Sequence, residues 1–324
     1  MKKIALLTSG GDSPGMNAAV RAIVKSCLHN GIQPVGVRDG YQGMMEGDFW
    51  TMGYADVDNI IQLGGTILGT ARSEAFLEKE GRKTAIGKLS AAGIDGLIVI
   101  GGDGSFRGAT VLSAEMGIPV IGIPGTIDND MYGTDHTIGY DTALNTVIDA
   151  VDKIRDTASS HHRIFFVEVM GRHAGFIALD AAIASGAETV LIPEEHTDIE
   201  KLVEQIRSQN KGKRSSIIIV AEGDDAGGSL EIIKKVSPYL KGYDLKTSVL
   251  GHLQRGGRPS AFDRILATRM GAFAVDLLLS GSRNLMIGSQ GETLQTITLE
   301  EAIRRNHALD YDKLNLLGKM LTAN

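Results

Sequence analysis

The chain has 324 residues, and its 33 Lys and Arg against 39 Asp and Glu give a formal net charge of −6 at pH 7. This acidic balance argues against sequence-independent binding to nucleic acid or to an anionic membrane. A single cysteine, Cys27, excludes an intrachain disulfide framework, and neither a signal-peptide pattern nor a bilayer-spanning apolar stretch is visible, so we expect a cytoplasmic protein.

Short apolar runs alternate with helical patterns along the chain, which predicts an α/β protein with parallel sheets covered by helices on both faces. The strand patterns lie at 3–8, 33–38, 95–101, 118–123, 163–169, 189–192, 215–221 and 247–251. The helical patterns lie at 15–29, 83–92, 106–116, 140–158, 175–185, 198–209, 229–240 and 261–280. The length suits about two domains, and the chain has no Pro/Ser-rich linker to mark a boundary.

Two predicted strands are each followed by Gly-Gly-Asp and then by a helix, at Gly10–Asp12 and Gly101–Asp103. In open parallel sheets, ligands gather beyond the carboxyl ends of the strands, where helix N-termini attract anions. Either turn alone is equally well explained as a sharp turn with a capping Asp. Together they predict a phosphate-bearing ligand, and Asp103 is a suitable oxygen ligand for Mg²⁺. The Walker A and Rossmann glycine patterns are absent.

The strand at 118–123 leads into Thr126-Ile127-Asp128-Asn129-Asp130. If this strand neighbours 95–101, Asp128 and Asp130 reach the same edge as Asp103, which would place three carboxylates in one crevice. A divalent cation could bind one or two of them and leave another to accept a proton from a hydroxyl nucleophile. Phosphoryl transfer needs that division of roles. An isolated Asp-Asn-Asp is more typical of a surface turn, but its position after a strand favours a site.

Other charged residues also lie at predicted strand ends. They are Arg163, the run 170–173, Glu222 and the run 252–257. Arginine can bind a phosphate through two hydrogen bonds, and a Glu can accept hydrogen bonds from sugar hydroxyls. Taken singly, each of these residues is more typical of a solvated charge or a helix cap, but their shared location favours a sugar-phosphate site. The patterns of a HExxH zinc site and of a Gly-x-Ser-x-Gly nucleophile are absent.

These segments together resemble the bacterial ATP-dependent 6-phosphofructokinase family. The matching segments follow the family's order over essentially the whole chain: Gly10–Asn17, Gly101–Ser105, Pro124–Asp130, Met170–Arg172 and Gly251–Gly257. The resemblance implies transfer of the ATP γ-phosphoryl group to the 1-hydroxyl of fructose 6-phosphate, a step of glycolysis that yields fructose 1,6-bisphosphate and ADP. NAD-kinase and lipid-kinase relatives share the Gly-Gly-Asp-Gly turn but are not expected to have the other segments. A sugar-phosphate-binding regulator without catalysis also remains possible, although the retained acidic residues count against it.

The resemblance also implies a fold and an assembly. It implies two three-layer α/β/α domains with mainly parallel sheets and an active site between them. The ATP-binding domain would comprise 1–138 plus 254–304, and the fructose 6-phosphate-binding domain 139–253 plus 305–324. The assembly would be a homotetramer, a dimer of dimers, with active and effector sites shared between subunits.

Residue roles carry over from the same resemblance. Asp128 would be the base, assisted by Thr126 and Arg172, and Asp103 would bind Mg²⁺. The ATP site would comprise Gly11, Arg72, Ser73, Gly102, Asp103, Gly104 and Ser105. The sugar-phosphate site would comprise Thr126, Ile127, Asp128, Met170, Gly171, Arg172, Glu222, His252, Leu253, Gln254 and Arg255, with Arg163 and Lys246 reaching it from a neighbouring subunit. The effector site for activating ADP and inhibitory phosphoenolpyruvate would comprise Arg21, Lys25, Tyr54, Arg155, Gly186, Ala187, Glu188, Lys211, Lys213, Arg214 and Ser215.

Some positions bear on specificity. Pyrophosphate-using relatives carry Asp at the position of Gly104 and Lys at that of Gly125, so both glycines favour ATP as the donor. Lys246 replaces the family's usual Arg, which loses a planar two-pronged contact with the sugar phosphate. Tyr54 replaces an Arg of the effector region, which removes a cation from phosphate binding. The charges of that region could also be ordinary solvated surface charges.

Overall fold

The computed structural model describes residues 1–161, 163–209 and 215–321. The chain forms two compact units and passes between them more than once. The first unit contains 1–127, 131–142 and 255–307, and the second contains 128–130, 143–254 and the residues from Ala308 onward. The domain boundaries at 138, 254 and 304 remain a prediction. The compact units differ from them at 128–130 and 254, which group with the second unit, and at 139–142 and 305–307, which group with the first.

Strands and helices alternate along most of the described chain. The strands are β1 Lys3–Ser9, β2 Gln33–Val37, β3 Phe49–Thr51, β4 Gly96–Gly101, β5 Val120–Pro124, β6 Arg163–Val169, β7 Thr189–Leu191, β8 Ser216–Ala221, β9 Asp244–Val249, β10 Leu285–Gln290 and β11 Thr293–Thr298. The helices are α1 Met16–His29, α2 Gly40–Glu46, α3 Glu74–Leu77, α4 Lys79–Ala92, α5 Asp103–Met116, α6 Tyr140–His161, α7 Phe176–Ser185, α8 Ile199–Gln209, α9 Ser229–Val236, α10 Ala261–Leu279, α11 Leu299–Arg304 and α12 Tyr311–Leu321. Short 3₁₀ turns lie at Ala55–Val57 and Gly251–Arg255.

The first unit is built on a sheet whose described strands run in the order β11-β10-β5-β4-β1-β2-β3. Its central strands are parallel, while β3 and β11 pair antiparallel at the two edges. Successive residues of β1 point to opposite faces: Ile4 and Leu6 pack with α1 and α10, whereas Ala5 and Leu7 pack with α4 and α5. Both faces of the sheet are therefore covered, and the central strands β4 and β5 are apolar and buried along their whole length.

The second unit is built on a smaller parallel sheet in the order β7-β8-β6-β9. The side chains of Phe166, Ile218 and Val220 pack against α8 and α9 on one face. Helix α7 packs on β7 and β8 and also contacts α12. Strand β9 lies at the edge of this sheet, and its residues are more exposed than those of its neighbours.

The predicted α/β class with mainly parallel sheets is confirmed. The antiparallel pair β10 and β11 was missed, because Leu285–Gln290 and Thr293–Thr298 carry polar residues among their apolar ones and so lack a clear strand pattern. Helix α5 begins at Asp103, earlier than the predicted 106, so the acidic residue lies in the first helical turn. No helix in the described ranges is long and apolar enough to cross a membrane.

Candidate active site

The segments that follow three neighbouring strands start at one edge of the first sheet. Ser9 at the end of β1 pairs with Gly101 at the end of β4, and Gly101 pairs with Pro124 at the end of β5. The Gly125 amide donates a hydrogen bond of 3.0 Å to the Gly101 carbonyl. The predicted neighbourhood of the two Gly-Gly-Asp turns and the segment after β5 therefore follows from the strand register.

Ser105 joins the two Gly-Gly-Asp turns. Its side chain is buried, and a Cβ built on Gly101 would lie 2.5 Å from the Ser105 Oγ. A Cβ built on Gly10 would lie 3.3 Å from the same oxygen, and Gly10 has a positive φ of 87°. Glycine is therefore required at Gly101 by close packing, while a side chain at Gly10 would be strained by the backbone conformation.

Asp103 is the first residue of α5, and its carboxylate pairs with Arg107 one helical turn later, at Nε–O distances of 3.0 and 3.2 Å. The carboxylate is about half exposed, at 46%. A Cβ built on Gly104 would meet no heavy atom within 4 Å. Because Mg²⁺ is usually held by one or two carboxylates together with phosphate oxygens, an accessible carboxylate beside open space fits a magnesium-nucleotide.

The part of the chain that the structure describes holds no preformed metal site of three acidic side chains. The described residues contain no group of three or more His, Cys, Asp or Glu side chains that could hold a metal ion. The expectation that Asp103, Asp128 and Asp130 share one crevice, with a cation on one or two of them and another left to act as a base, does not require such a group and stays a prediction. Asp103 belongs to the first compact unit, and Asp128 and Asp130 belong to the second. Asp103 alone remains the candidate metal ligand.

The segment leading to α3 lies beside the first turn. Thr70 Oγ1 donates to the Gly10 carbonyl at 2.7 Å, and Thr8 Oγ1 donates to the Gly69 carbonyl at the same distance. Ser73 caps α3, since its Oγ accepts a hydrogen bond from the Phe76 amide at 3.3 Å. The adjacent Arg72 is exposed. This segment therefore presents an accessible cation close to the Gly-Gly-Asp turn of β1.

Arg255 lies on the same turn. Its Nη1 donates to the Asp12 carbonyl at 3.2 Å, and a Cβ built on Gly11 would lie only 2.5 Å from that nitrogen. Gly11 therefore leaves the space in which the guanidinium rests. Arg255 is expected from the sequence to contact the sugar phosphate, and its side chain lies against the turn expected to hold ATP.

Asp128 follows β5 and is 2% exposed. Its Oδ2 lies 3.6 Å from the Nε of Arg172, a residue of the same compact unit. Two residues earlier, the carbonyl of Thr126 accepts a 2.6 Å hydrogen bond from Thr137 Oγ1. Ile127, between them, is fully buried. The segment is therefore held two residues before the candidate base and at the base itself.

The turn after β6 contains the predicted sugar-phosphate residues Met170, Gly171 and Arg172. A Cβ at Gly171 would lie 2.4 Å from the Ala174 carbonyl, and Gly171 has a φ of 141°, so a side chain is excluded. The Arg172 amide donates to Glu222 Oε1 at 2.9 Å. Glu222 therefore shapes this turn in addition to any contact with a sugar.

Gln254 connects this turn to the end of β9. It is fully buried, and its Oε1 accepts a 3.2 Å hydrogen bond from the Met170 amide. The neighbouring His252 and Leu253 are exposed, and Leu253 is 70% accessible. The ends of the adjacent strands β8, β6 and β9 thus place Glu222, Arg172 and Gln254 side by side.

Arg163 and Lys246 do not lie with these residues. Both pair with Asp244 at 2.8 Å, Arg163 through Oδ2 and Lys246 through Oδ1. The hydrogen bonds from Lys246 and Arg163 lower the pKa of Asp244. Arg163 begins β6, and at about 3.3 Å of rise per residue it is roughly 20 Å from the other end of that strand. Within one chain, these cations are therefore distant from Arg172.

The comparisons with known proteins agree with one another. Residues 3–278 match the family model described as phosphofructokinase. An ATP-dependent 6-phosphofructokinase 1 from Thermus thermophilus is 53% identical over 317 residues, covering 98% of each chain. An ATP-dependent 6-phosphofructokinase from Brevibacillus brevis is 54% identical over 312 residues, covering 96% of each chain. The chain belongs to the phosphofructokinase family.

Solved structures support the family fold. Phosphofructokinase from Saccharomyces cerevisiae matches 99% of this chain with a TM-score of 0.89 and 38% identity, and this chain spans 47% of the length of the yeast chain. A pyrophosphate-dependent phosphofructokinase from Marinobacter aquaeolei has a TM-score of 0.87 at 21% identity over 100% of this chain and 92% of that chain, which shows the same fold.

The residues expected to form the phosphofructokinase effector site fall into two groups. In the first unit, Lys25 lies 3.6 Å from Asp58, and its Nζ is 5.9 Å from the centre of the Tyr54 ring. Arg21 lies one helical turn before Lys25 on α1. Tyr54 is 54% exposed, so it offers an aromatic face where the family's usual Arg would offer a charge.

The other group lies in the second unit. Arg155 is 3.8 Å from the buried Glu188, and its Nη2 donates to the carbonyls of Ser185 and Gly186 at 2.9 and 3.2 Å. Ala187 is buried and Ser215 is partly exposed. Lys211, Lys213 and Arg214 lie outside the described residues.

Three residues that contact these sites are not predicted from the sequence. Arg107 pairs with Asp103, and their spacing of four residues in a helical pattern could have revealed the pair. Thr137 and Asp244 contact candidate site residues through the tertiary structure. Their sequence surroundings carry no signal of these contacts, since Thr137 is eleven residues from Thr126 and Asp244 is 81 residues from Arg163.

Proposed function

We propose that this chain is an ATP-dependent 6-phosphofructokinase, which transfers the γ-phosphoryl group of ATP to the 1-hydroxyl of fructose 6-phosphate. The observation that carries the proposal is Asp128, a buried carboxylate at the end of β5 that is ion-paired with Arg172. The relatives that are 53% and 54% identical over nearly the whole chain are named for this activity. The products are fructose 1,6-bisphosphate and ADP, and the reaction belongs to glycolysis.

The nucleotide binds at the turns after β1 and β4. Gly11, Gly102 and Gly104 bring backbone N–H groups and the N-terminus of α5 to the phosphates, and Ser105, Arg72 and Ser73 border the site. Asp103 would hold Mg²⁺, which would neutralise negative charge on the phosphate oxygens.

The donor assignment depends mainly on Gly104. A side chain there would project into open space at the N-terminus of α5, where ATP phosphates are expected. Gly125 is less informative, because a Cβ there would lie 3.0 Å from Ile100 Cγ2 and 3.1 Å from Met16 Cε. Packing therefore favours glycine at this position whatever the phosphoryl donor is.

Asp128 acts as the base that takes the proton from the sugar 1-hydroxyl as the hydroxyl oxygen attacks the γ-phosphorus. Arg172, next to it and 57% exposed, stabilises negative charge on the transferred group. Thr126 contributes a hydroxyl beside the transferred group, and the fully buried Ile127 supports the segment from below, between Thr126 and Asp128. The remaining sugar-phosphate contacts come from Met170, Gly171, Glu222, His252, Leu253, Gln254 and Arg255.

The active enzyme is a cytoplasmic homotetramer in which neighbouring subunits share sites. The positions of Arg163 and Lys246 support this, since both lie at the far end of β6 and β9 from Arg172, and Lys246 is on an exposed edge strand. Each cation would then complete the sugar-phosphate site of an adjacent subunit. ADP and phosphoenolpyruvate bind the two groups of effector residues, with weaker phosphate binding because Tyr54 carries no charge.

An assay of ADP release tests the proposed reaction. Purified protein with ATP, Mg²⁺ and fructose 6-phosphate should release ADP in proportion to fructose 1,6-bisphosphate formed. Asp128→Ser should lower kcat about 10²- to 10⁴-fold, the usual size of general-base catalysis. An NAD or lipid kinase would be inactive with the sugar phosphate, and a regulator without catalysis would bind it and release no ADP. Either result would reject the proposal.

A further inference from the structure

A buried carboxylate outside the proposed active site connects several of the turns that form it. Asp263, in the first turn of α10, is fully buried. Its Oδ1 accepts a 2.8 Å hydrogen bond from the Gly139 amide, and its Oδ2 accepts bonds from the Thr142 amide at 2.8 Å and the Thr142 hydroxyl at 2.5 Å. No ligand-binding role is assigned to Asp263 by the proposed reaction.

The contact between α6 and α10 is reciprocal. Asp263 binds amide groups at the start of α6, and Thr142 Oγ1 in turn accepts a 2.9 Å hydrogen bond from the Ser260 amide at the start of α10. Ser260 also caps α10 by accepting a 3.2 Å bond from the Asp263 amide. Each helix therefore satisfies amide groups at the N-terminus of the other, and both helix dipoles favour a negative charge at this position.

The two residues before Gly139 hydrogen-bond to the end of β5 and to the Thr126 segment that follows it. Ile138 precedes Gly139, and its amide donates to the Pro124 carbonyl at 2.9 Å. Thr137, one residue earlier, holds the Thr126 carbonyl at 2.6 Å. Residues 137–139 thus lie alongside the end of β5, and Asp263 binds the last of them, Gly139.

The turn after β1 also contacts this network. Gly15, at the start of α1, has a φ of 107°, and a Cβ built on it would lie 3.5 Å from the Asp263 Cβ. A Cβ built on Gly139 would lie 2.5 Å from the Ser13 Cβ. The starts of α1, α6 and α10 therefore pack closely around one carboxylate, behind the turn expected to bind ATP phosphates.

We infer that Asp263 is a positioning residue for phosphoryl transfer, which holds residues 137–139 so that the Thr126 segment keeps its place beside the Gly-Gly-Asp turns. This inference rests on the proposed function. Asp263 touches neither substrate and acts only through Gly139 and Thr142. Since a displacement of about 1 Å in a reacting group can cost about 100-fold in rate, the loss of this anchor is expected in kcat.

Asp263→Asn is the direct test. An amide cannot accept hydrogen bonds at both of its terminal atoms, so at least one of the Gly139 and Thr142 contacts is lost. We expect kcat to fall about 10- to 100-fold while the KM values for ATP and fructose 6-phosphate change less than about three-fold. An unchanged kcat in the folded variant, or a loss confined to KM, would overturn the inference.

Two further variants separate positioning from general stability. Thr298 caps α11 in the same compact unit, with its Oγ accepting a 3.1 Å bond from the Glu301 amide, and it is not connected to the site. Thr298→Ala should lower Tm without lowering kcat. If Thr298→Ala lowers kcat as much as Asp263→Asn at equal loss of Tm, the role of Asp263 is merely structural.

Thr142 provides the test if Asp263→Asn does not fold. Thr142→Val removes the hydroxyl that bonds Asp263 and Ser260, while Thr142→Ser keeps it. We expect a lower kcat for Val and nearly full kcat for Ser, and equal values would overturn the inference. The wild-type assay is read first: an inactive wild type rejects the proposed function, whereas an active wild type with unaffected Asp263 and Thr142 variants rejects only the positioning role.

Discussion

Replacing Gly104 with aspartate tests whether the start of α5 binds nucleotide phosphates. Gly104 is the second residue of α5, and a Cβ there meets no heavy atom within 4 Å. Its φ is not among the positive values of the chain, so a side chain is tolerated by the backbone. An acidic residue in the first turn of a helix stabilises it by about 0.3–1 kcal/mol. We therefore expect Gly104→Asp to fold with a Tm close to that of the wild type.

The expected loss is in ATP binding. A carboxylate at position 104 would add a second negative charge next to Asp103, at the place where the phosphates are expected. Two unit charges about 4 Å apart repel by about 4 kcal/mol at an effective dielectric of about 20, and by about half as much at about 8 Å. Since each 1.4 kcal/mol is tenfold in affinity, ATP binding should weaken by about 30- to 1000-fold.

The assay is the KM for ATP at saturating fructose 6-phosphate and constant free Mg²⁺, with Tm measured in parallel. Gly104→Ala adds bulk without charge and Gly104→Asn adds the shape of Asp without its charge, so the series separates size from repulsion. We expect the KM for ATP to rise least for Ala and most for Asp. An Asp variant with wild-type Tm and an unchanged KM for ATP would show that the phosphates do not bind at this turn.

Three other predictions follow from individual contacts. Lys246→Arg should lower the KM for fructose 6-phosphate several-fold, because a guanidinium binds phosphate through two hydrogen bonds, and an unchanged KM would argue that Lys246 does not reach the sugar phosphate. In Gly11→Ala the new Cβ would lie 2.5 Å from the Arg255 Nη1, so this substitution should displace the guanidinium from the turn and raise the KM for fructose 6-phosphate. In an Arg255→Ala background, Gly11→Ala should have little further effect on that KM, and fully additive effects would contradict the coupling of the two residues. Burial raises the pKa of Asp263 to about 6 from 3.8, against the hydrogen bonds from Thr142 and Gly139 and with some help from the Asp141 charge. Because the pKa is higher in the folded state, the contribution of Asp263 to stability is fully present below about pH 4 and is lost as the pH rises through about 6. The unfolding free energy of the wild type, measured relative to Asp263→Asn by urea unfolding, should therefore fall by about 3 kcal/mol over that range. A difference that does not change with pH would contradict this prediction.

The parts of the fold that the sequence predicted are those with a local pattern. The runs that become β1, β4 and β5 are apolar because both sheet faces are covered, and each is followed by a helical pattern, so the order of elements was recognisable. Strands β10 and β11 were not, because polar residues interrupt their apolar pattern. Their pairing with the rest of the sheet depends on contacts far along the chain, such as Leu285 with Ile121.

In the candidate site too, some features have a local sequence signal and others do not. Glycines and acidic residues that follow strands carry a local signal, so the turns at 10–12, 101–105 and 126–130 could be assigned to a ligand before the structure was known. The side chains that hold these turns carry no such signal. Asp263 reads as an ordinary acidic residue in the first turn of a helix, and only the tertiary structure places it against Gly139 and Thr142.

The segment after β5 explains why such distant support matters. Thr126 is held through its carbonyl by Thr137, and Asp128 is ion-paired with Arg172, with a single buried residue between the two held positions. A peptide chain of two residues has little freedom once both of its ends are fixed. If residues 137–139 loosened, the backbone at Thr126 would therefore shift and displace Asp128, even though the Asp128 contact with Arg172 is retained. For this reason we expect loss of the Asp263 anchor to slow the chemical step more than it weakens either substrate.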